Sequence, residues 1–156
     1  MKARKFLTLS AMILLSLSTL AQTTIACNAQ GIERYTGFLG SPLSYIIEAP
    51  SETKINEAID IKITMITEVK LYVEIIQVII DGAGVLYKTN LAEKTNLDAK
   101  ATLNKEINVS PNAEGTIKCH IKVSYRYKQR GIYHDEYCEI EMPICQVKEK
   151  LYQELQ

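Results

Sequence analysis

The chain has 156 residues, with 18 Lys and Arg and 18 Asp and Glu, and this length accommodates one ordinary domain. Three basic residues lie within the first five positions, so the rest of the chain carries 15 basic and 18 acidic residues, a balance of about −3. This balance excludes a general nucleic-acid binder, which carries a clustered excess of Lys and Arg. The absence of Trp and the nine Tyr favour an all-β fold.

Residues 1–26 are predicted to be a signal peptide. A basic stub precedes an apolar stretch of about fifteen residues, Phe6 to Leu20, which is shorter than the roughly 20 residues that span a bilayer. Small residues permit cleavage after Ala21 or after Ala26. We therefore expect an N-terminal signal helix, export from the cytoplasm, and a secreted or cell-surface location.

Cleavage after Ala26 would leave Cys27 as the new N-terminus. The residues Ile25, Ala26 and Cys27 resemble the lipobox of bacterial lipoproteins, although Thr24 stands where that family has a large aliphatic residue. The resemblance implies that Cys27 is lipidated and holds the protein at a membrane surface. Apart from the signal peptide and this lipid, we expect no membrane contact.

Residues 27–43 contain three glycines and a proline without sustained periodicity, which predicts a leader or linker. From residue 44 to 145, short apolar runs alternate with turn residues at the spacing typical of a β-sandwich. Ile59 to Met65 alternates strictly, and Val69 to Ile80 predicts a central strand that is either covered on much of both faces or bent by a bulge. The polar stretch from Thr89 to Thr102 predicts a loop, with an edge strand or a helical turn around Leu91 to Lys94 as the alternatives. The predicted strands are 44–49, 59–65, 69–80, 85–88, 103–109, 116–128 and 132–142.

The last two strands form a hairpin whose register can be predicted from charge. If Arg130 and Gly131 form the turn, opposing residues have numbers that sum to 261, because the strands run antiparallel. Three basic residues then face three acids: His120 and Glu141, Lys122 and Glu139, Arg126 and Asp135. On the other face, apolar residues of the two strands lie opposite one another: Cys119 and Met142, Ile121 and Ile140, Val123 and Cys138.

Three segments carry a resemblance to bacterial and archaeal immunoglobulin-like modules of the cell-adhesion-related or fibronectin type. They are Glu48-Ala-Pro50, Asn56-Glu-Ala-Ile-Asp-Ile61 and Ser110-Pro-Asn-Ala-Glu-Gly-Thr-Ile117. The resemblance implies an immunoglobulin-like antiparallel β-sandwich of about seven strands over residues 44–145. After it, Val147, Leu151 and Leu155 recur every four residues, which predicts a short C-terminal helix over residues 146–156.

Four cysteines in an exported chain permit disulfides, and four cysteines allow three pairings. In the predicted register Cys119 and Cys138 are too far out of step for a disulfide. We therefore favour a disulfide between Cys27 and Cys145, which would join the two ends of the domain and leave the other two cysteines as core thiols. Lipidation of Cys27 is the competing expectation.

No catalytic motif is present in the sequence. It has no serine nucleophile elbow, no phosphate-binding glycine loop and no helical zinc motif. His120 and His134 are predicted on opposite faces of the hairpin, so a shared metal or a catalytic pair is not expected. We expect a non-enzymatic protein with no cofactor, no metal site and no nucleic-acid partner.

A cluster of aromatic and basic residues is the main candidate binding surface, because Tyr and Arg are enriched at protein-binding hot spots. Its members are Tyr125, Arg126, Tyr127, Arg130, Tyr133 and Tyr137. The alternative is that these tyrosines are ordinary strand residues, since Tyr is a good strand former. A separate feature, Asn108-Val-Ser110, matches a glycosylation acceptor and places Asn108 on the predicted outer face.

These features together predict an exported, non-enzymatic binding or structural module of the cell surface or extracellular space. Its expected partners are proteins or glycans, and strand addition at a sheet edge is a route to self-association. The alternative function is a small-ligand carrier or an enzyme accessory domain on the same fold. Such a carrier would use a pocket beside the strand from Val69 to Ile80.

Overall fold

The computed structural model describes residues 31–149, so the predicted signal helix, the cleavage sites and Cys27 lie outside the described residues. The described chain consists of nine strands and the turns that join them. In chain order they are β1 (Ile32–Phe38), β2 (Leu43–Pro50), β3 (Glu52–Lys54), β4 (Ile59–Thr67), β5 (Leu71–Gly82), β6 (Val85–Leu97), β7 (Thr102–Val109), β8 (Gly115–Gln129) and β9 (Ile132–Lys148).

The strands form two sheets that enclose one apolar core. One sheet has four strands in the order β1-β2-β4-β7, and the other has five in the order β3-β9-β8-β5-β6. The trio β2-β4-β7 corresponds in chain order to strands A, B and E of an immunoglobulin sandwich, and β9-β8-β5-β6 corresponds to G, F, C and C′. The predicted all-β class and immunoglobulin-like arrangement are therefore confirmed.

Side chains alternate in burial along most strands, which is why these sequences form sheets rather than helices. On β4 the apolar residues from Ile59 to Met65 point into the core, and the intervening polar residues face outward. Of the two alternatives predicted for β5, the bulge is present, because the register of β5 with β8 shifts between Val73 and Ile75. A second shift, between Ile76 and Gln77, occurs against β6.

The predicted register of the β8–β9 hairpin is confirmed, since every predicted pair from Cys119–Met142 to Arg126–Asp135 is present. Arg130 and Gly131 form the turn with φ angles of 50° and 79°. Two positive φ angles are typical of the type I′ turn, whose twist matches that of the flanking strands.

Three boundary predictions were wrong. Within the predicted linker, residues 32–38 form β1, which lacks an apolar alternation because it is an edge strand. The loop predicted after Thr89 is largely strand, since β6 continues to Leu97, and of the alternatives the edge strand is the one present. There an extra residue at Leu91 interrupts the period of two. Residues 146–148, predicted to begin a helix, extend β9, and residues 150–156 lie outside the described residues.

The two ends of the sandwich differ. One end of the sandwich, which we call the tip, holds the turns 39–42, 68–70, 98–101 and 130–131. Backbone hydrogen bonds connect some of these turns, such as the bond from Glu68 N to Pro42 O. At the opposite end, the base, Ser51 N bonds Gly31 O and Gln146 N bonds Ser51 O. The first and last described residues, Gly31 and Glu149, therefore both lie at the base.

Candidate functional site: the outer face of the five-stranded sheet

The candidate surface predicted from the hairpin is divided between the two faces of the sheet. Tyr125 and Tyr127 are only 2% and 8% exposed, because odd-numbered residues of β8 point into the core, so their assignment to a binding surface was wrong. On the outer face, Tyr133 and Tyr137 are 67% and 64% exposed, and Arg126 is also exposed. Arg130 lies apart from them, in the turn at the tip.

We use the name tyrosine face for the outer surface formed by Tyr72, Tyr133, Tyr137, Arg126 and Asp135. The strand register brings these residues together from β5, β8 and β9, since Tyr72 pairs with Arg126 and Arg126 pairs with Asp135. Sequence reasoning missed Tyr72. The signal that identifies it is its parity on β5, where it alternates with the buried residues Leu71 and Val73.

At the centre of the tyrosine face, Arg126 and Asp135 form a two-pronged ion pair. Arg126 Nε donates to Asp135 Oδ1 at 2.6 Å, and Nη2 donates to Oδ2 at 3.1 Å. The hydrogen bond from Arg126 holds the pKa of Asp135 below its ordinary value, and the same bond raises the pKa of Arg126. The guanidinium also lies 5.9 Å from the centre of the Tyr133 ring, and Lys128 Nζ lies 5.4 Å from it.

A second polar network continues along β9 toward the base. Tyr137 donates a hydrogen bond to Glu139 at 3.1 Å, and His120 Nε2 lies 2.6 Å from the other oxygen of that carboxylate. The bonds from Tyr137 and His120 lower the pKa of Glu139. His120 therefore contacts Glu139 diagonally rather than Glu141, which instead pairs with Lys118 at 3.1 Å. The network fixes the Tyr137 side chain on the face.

A shallow depression lies within the tyrosine face beside β5, with a volume of about 380 Å³. It is lined by Tyr72, Glu74, Ser124, Tyr125, Arg126 and Asp135. The depression is on the outer face of the sheet and not between the two sheets, whose interior is filled by core side chains.

The histidines and acids do not assemble a metal site in the part of the chain that the structure describes. Among residues 31–149, no group of three His, Cys, Asp or Glu side chains is placed to hold a metal ion. His134 stacks on Tyr127 with ring centres 5.1 Å apart, on the inner side of the hairpin, whereas His120 points outward. The prediction that the two histidines lie on opposite faces is confirmed.

The three cysteines within residues 31–149 form no disulfide with one another: Cys119 and Cys145 are buried, and Cys138 is half-buried. Burial raises the pKa of Cys119 to about 12 and that of Cys145 to about 11, so neither is a reactive thiolate at neutral pH. The partner predicted for Cys145, Cys27, lies outside the described residues, and both the disulfide and the lipidation stay predictions.

Asn108 lies on the outer face of β7, as predicted for a glycosylation acceptor. It is exposed, and its side-chain amide donates a hydrogen bond of 2.8 Å to Asp60 on β4. A glycan at this position would project from the four-stranded sheet, on the opposite side of the sandwich from the tyrosine face. Within residues 31–149, no helix has the length and apolarity needed to cross a membrane.

Comparison with known proteins identifies no family for this chain. No protein-family model matches the sequence, and no curated protein matches it. Among solved structures, the chain is similar to the GAE domain of GGA2p from Saccharomyces cerevisiae, with 13% identity, a TM-score of 0.40, and coverage of 71% of this chain and 98% of that one. It is also similar to the C-terminal domain of wzt, with 13% identity, a TM-score of 0.36, and coverage of 77% and 80%.

Proposed function

We propose that this chain is an exported, non-enzymatic binding or structural module that contacts a protein or glycan through the tyrosine face. The observation that carries the proposal is the exposure of Tyr72, Tyr133 and Tyr137 around the Arg126–Asp135 pair on one sheet surface. Tyr and Arg provide large contact areas that also form hydrogen bonds, and they dominate the energetics of many interfaces.

The rigidity of the face supports this role. Its side chains stand on three paired strands, and hydrogen bonds fix Arg126 to Asp135 and Tyr137 to Glu139. Binding a partner therefore costs less side-chain entropy on the tyrosine face than it would on a mobile loop, because the rotamers of the face are already restricted. A flat, preorganised surface of this kind favours a macromolecular partner.

Export is the second part of the proposal, and it is based on the sequence of residues 1–26. The basic stub and the short apolar stretch are the pattern of a signal peptide. We propose a place at the cell surface or outside the cell, held there by lipid if Cys27 is modified. The partner would then be a surface protein or glycan.

Site-specific photocrosslinking on native cells tests this function. A photoreactive amino acid at Tyr137 is expected to capture a discrete partner, whereas the same group at Asn104, exposed on the outer face of β7, is expected to capture none. A Tyr72→Ala substitution should reduce the capture from position 137. Equal capture from both positions, or no capture from position 137, would contradict the proposal.

A small-ligand carrier is the second candidate function, and the depression beside β5 favours it. Glu74, Ser124, Arg126 and Asp135 offer both hydrogen-bond donors and acceptors to a small polar molecule, and Tyr72 offers an aromatic wall. Saturable chemical-shift changes at Tyr72 and Ser124 with a library of monosaccharides and small acids would support this role. Changes spread over both sheets would argue against it.

A further inference from the structure

A second exposed surface lies at the tip, separate from the tyrosine face. We define the tip patch as Val69, Lys70, Lys128, Arg130 and Ile132, all of which are exposed. Ile132 is 64% exposed and directly follows the tight turn. Tyr133 lies at the border between the tip patch and the tyrosine face, with Lys128 over its ring.

The strand register explains why the tip patch protrudes. The outermost pair between β5 and β8 is Leu71 with Tyr127, so the hairpin from Lys128 to Ile132 extends beyond the neighbouring strand. Lys70 directly precedes Leu71 and therefore lies beside the hairpin. The surface is formed by the loop 68–70 and by the two-residue turn 130–131 with its flanking residues.

The tip patch itself contains three cations and no acid. Of the acids nearby, Glu68 is paired with Lys100 and Asp135 with Arg126. Asp98 is exposed and follows Leu97, the β6 partner of Leu71, so in the strand register it is the acid nearest Lys70. Of the 18 basic residues in the chain, 4 lie outside residues 31–149, which leaves 14; of the 18 acids, 1 lies outside, which leaves 17. The described domain is thus net acidic, while its tip patch is basic.

The turn retains Arg at a position that does not suit it. Arg130 has a φ of 50°, the left-handed region, at the first position of a type I′ turn where Asn, Asp or Gly are strongly preferred. An Arg in this backbone conformation costs stability, and residues held in such conformations are often found at functional sites.

We propose that the tip patch docks onto an anionic lipid surface, in contrast to the expectation that only the signal peptide or a lipid on Cys27 contacts a membrane. Ile132 and Val69 would enter the boundary between headgroups and acyl chains, and Lys70, Lys128 and Arg130 would contact lipid phosphates, since a cation near an anionic leaflet is strongly attracted to it. The five residues of the tip patch supply only part of the area that a specific protein interface takes, about 800 Å² from each partner. A membrane needs only insertion and charge, so lipid is the better match.

Both described chain ends lie at the opposite end of the domain from this surface. Gly31 and Glu149 are at the base, so the described chain enters and leaves the domain at the end opposite the tip. The tip docking goes beyond the proposed function, because it uses different residues from the tyrosine face. Either can fail while the other holds.

Tryptophan fluorescence of the full chain tests the docking, because the sequence contains no Trp. In an Ile132→Trp variant, the emission is expected to shift to shorter wavelength with vesicles of phosphatidylcholine and phosphatidylglycerol, and not with phosphatidylcholine alone. The shift should disappear at high salt, because salt screens exposed charges. A Tyr137→Trp variant on the tyrosine face is the matched control, and its emission should stay unchanged.

Charge removal provides the second arm of the test. Adding Lys128→Gln and Arg130→Gln to the Ile132→Trp variant is expected to weaken vesicle binding about thirtyfold, as the loss of two surface cations predicts. Circular dichroism melting would confirm that each variant stays folded. The proposal is overturned if the Ile132→Trp emission does not respond to anionic vesicles. It is also overturned if that emission responds to polyglutamate and not to vesicles, which would indicate an acidic protein partner.

Discussion

The Tyr125 hydroxyl donates a hydrogen bond of 2.6 Å to the backbone carbonyl of Leu39, a residue 86 positions earlier in the chain. Both residues are almost fully buried. The bond joins the middle of β8 to the turn between β1 and β2, so it holds the edge of one sheet against the centre of the other. Tyr125, first expected on a binding surface, is therefore a structural residue.

A Tyr125→Phe substitution is expected to destabilise the domain by about 1–3 kcal/mol, because it leaves the Leu39 carbonyl buried without a donor. Urea unfolding measures the change. Tyr137→Phe is the matched control, since it also removes one hydroxyl hydrogen bond but at an exposed site, and its effect should stay within about 0.5 kcal/mol. Equal effects of the two substitutions would contradict the structural role of Tyr125.

Substitutions at Gly40 and Gly131 distinguish the cost of a steric clash from the cost of backbone strain. Their φ angles are 78° and 79°, but a Cβ at Gly40 would lie 2.1 Å from the Tyr125 hydroxyl, whereas Gly131 has no atom within 4 Å. Gly131→Ala is expected to cost about 1–2 kcal/mol from conformation alone. Gly40→Ala should cost clearly more in the same urea experiment.

The double variant of Gly40→Ala and Tyr125→Phe extends this test. Removal of the hydroxyl removes the atom against which the new methyl clashes, so the two changes should be less than additive in free energy of unfolding. Strict additivity would mean that the clash is relieved elsewhere, for example by movement of the β1–β2 turn.

Replacing Arg130 with Asn is expected to stabilise the domain by a few tenths of a kcal/mol to about 1 kcal/mol, because Asn tolerates the left-handed conformation of this turn. Thermal melting checks the direction. Lys128→Asn, outside the turn, should give no gain. If the tip docks on lipid, the more stable Arg130→Asn protein should bind anionic vesicles less tightly. A rise in both stability and vesicle affinity would mean that the strain in the turn is unrelated to docking.

Stability should fall in alkaline solution partly through Cys119. Its pKa is about 12 in the folded protein against an ordinary value of 9.0, because burial disfavours the thiolate. The unfolded chain therefore loses this proton first, and the contribution is complete below pH 9 and lost as the pH rises toward 12. A Cys119→Ala variant should show a smaller loss of urea midpoint over this range. An identical loss would assign the alkaline sensitivity to buried tyrosines.

Intact mass of protein from its own host tests the N-terminal predictions. We expect a chain that begins at Gln22 or Cys27, in which Cys119 and Cys138 are alkylated on unfolding and Cys145 only after reduction. At the base, Gly31 O accepts a hydrogen bond from Ser51 N, and Ser51 O accepts one from Gln146 N, so Gly31 lies near Cys145. Cys27 is four residues before Gly31 in the sequence. Alkylation of Cys145 without reduction, or acyl chains on Cys27, would exclude the disulfide.

The sequence predicted those parts of the fold in which burial follows a simple period. Ile59 to Met65 and the β8–β9 hairpin have one buried and one solvated face, and the charges on the hairpin specify a single register. The edge strands β1 and β6 could not be read in this way, because an edge strand buries little and the extra residue at Leu91 in β6 resets the alternation.

The candidate site was predicted less well than the fold. The tyrosines of the hairpin were identified as a cluster, but alternation along β8 and β9 sends Tyr125 and Tyr127 inward and Tyr133 and Tyr137 outward. Tyr72 joins the outer group from β5, 54 positions from Arg126, a proximity that depends on sheet order. No local pattern in the sequence encodes that order.

The placement of both described chain ends at the base also has a mechanical consequence. Force applied through Gly31 and Glu149 would act on the open end of the β1–β2 hairpin, where Ile32 pairs with Pro50, and would peel hydrogen bonds one at a time rather than shear the whole strand. The domain is therefore poorly suited to carry tension as a link in series. It is better suited to be attached at its base alone, with the tip and the tyrosine face available for contact.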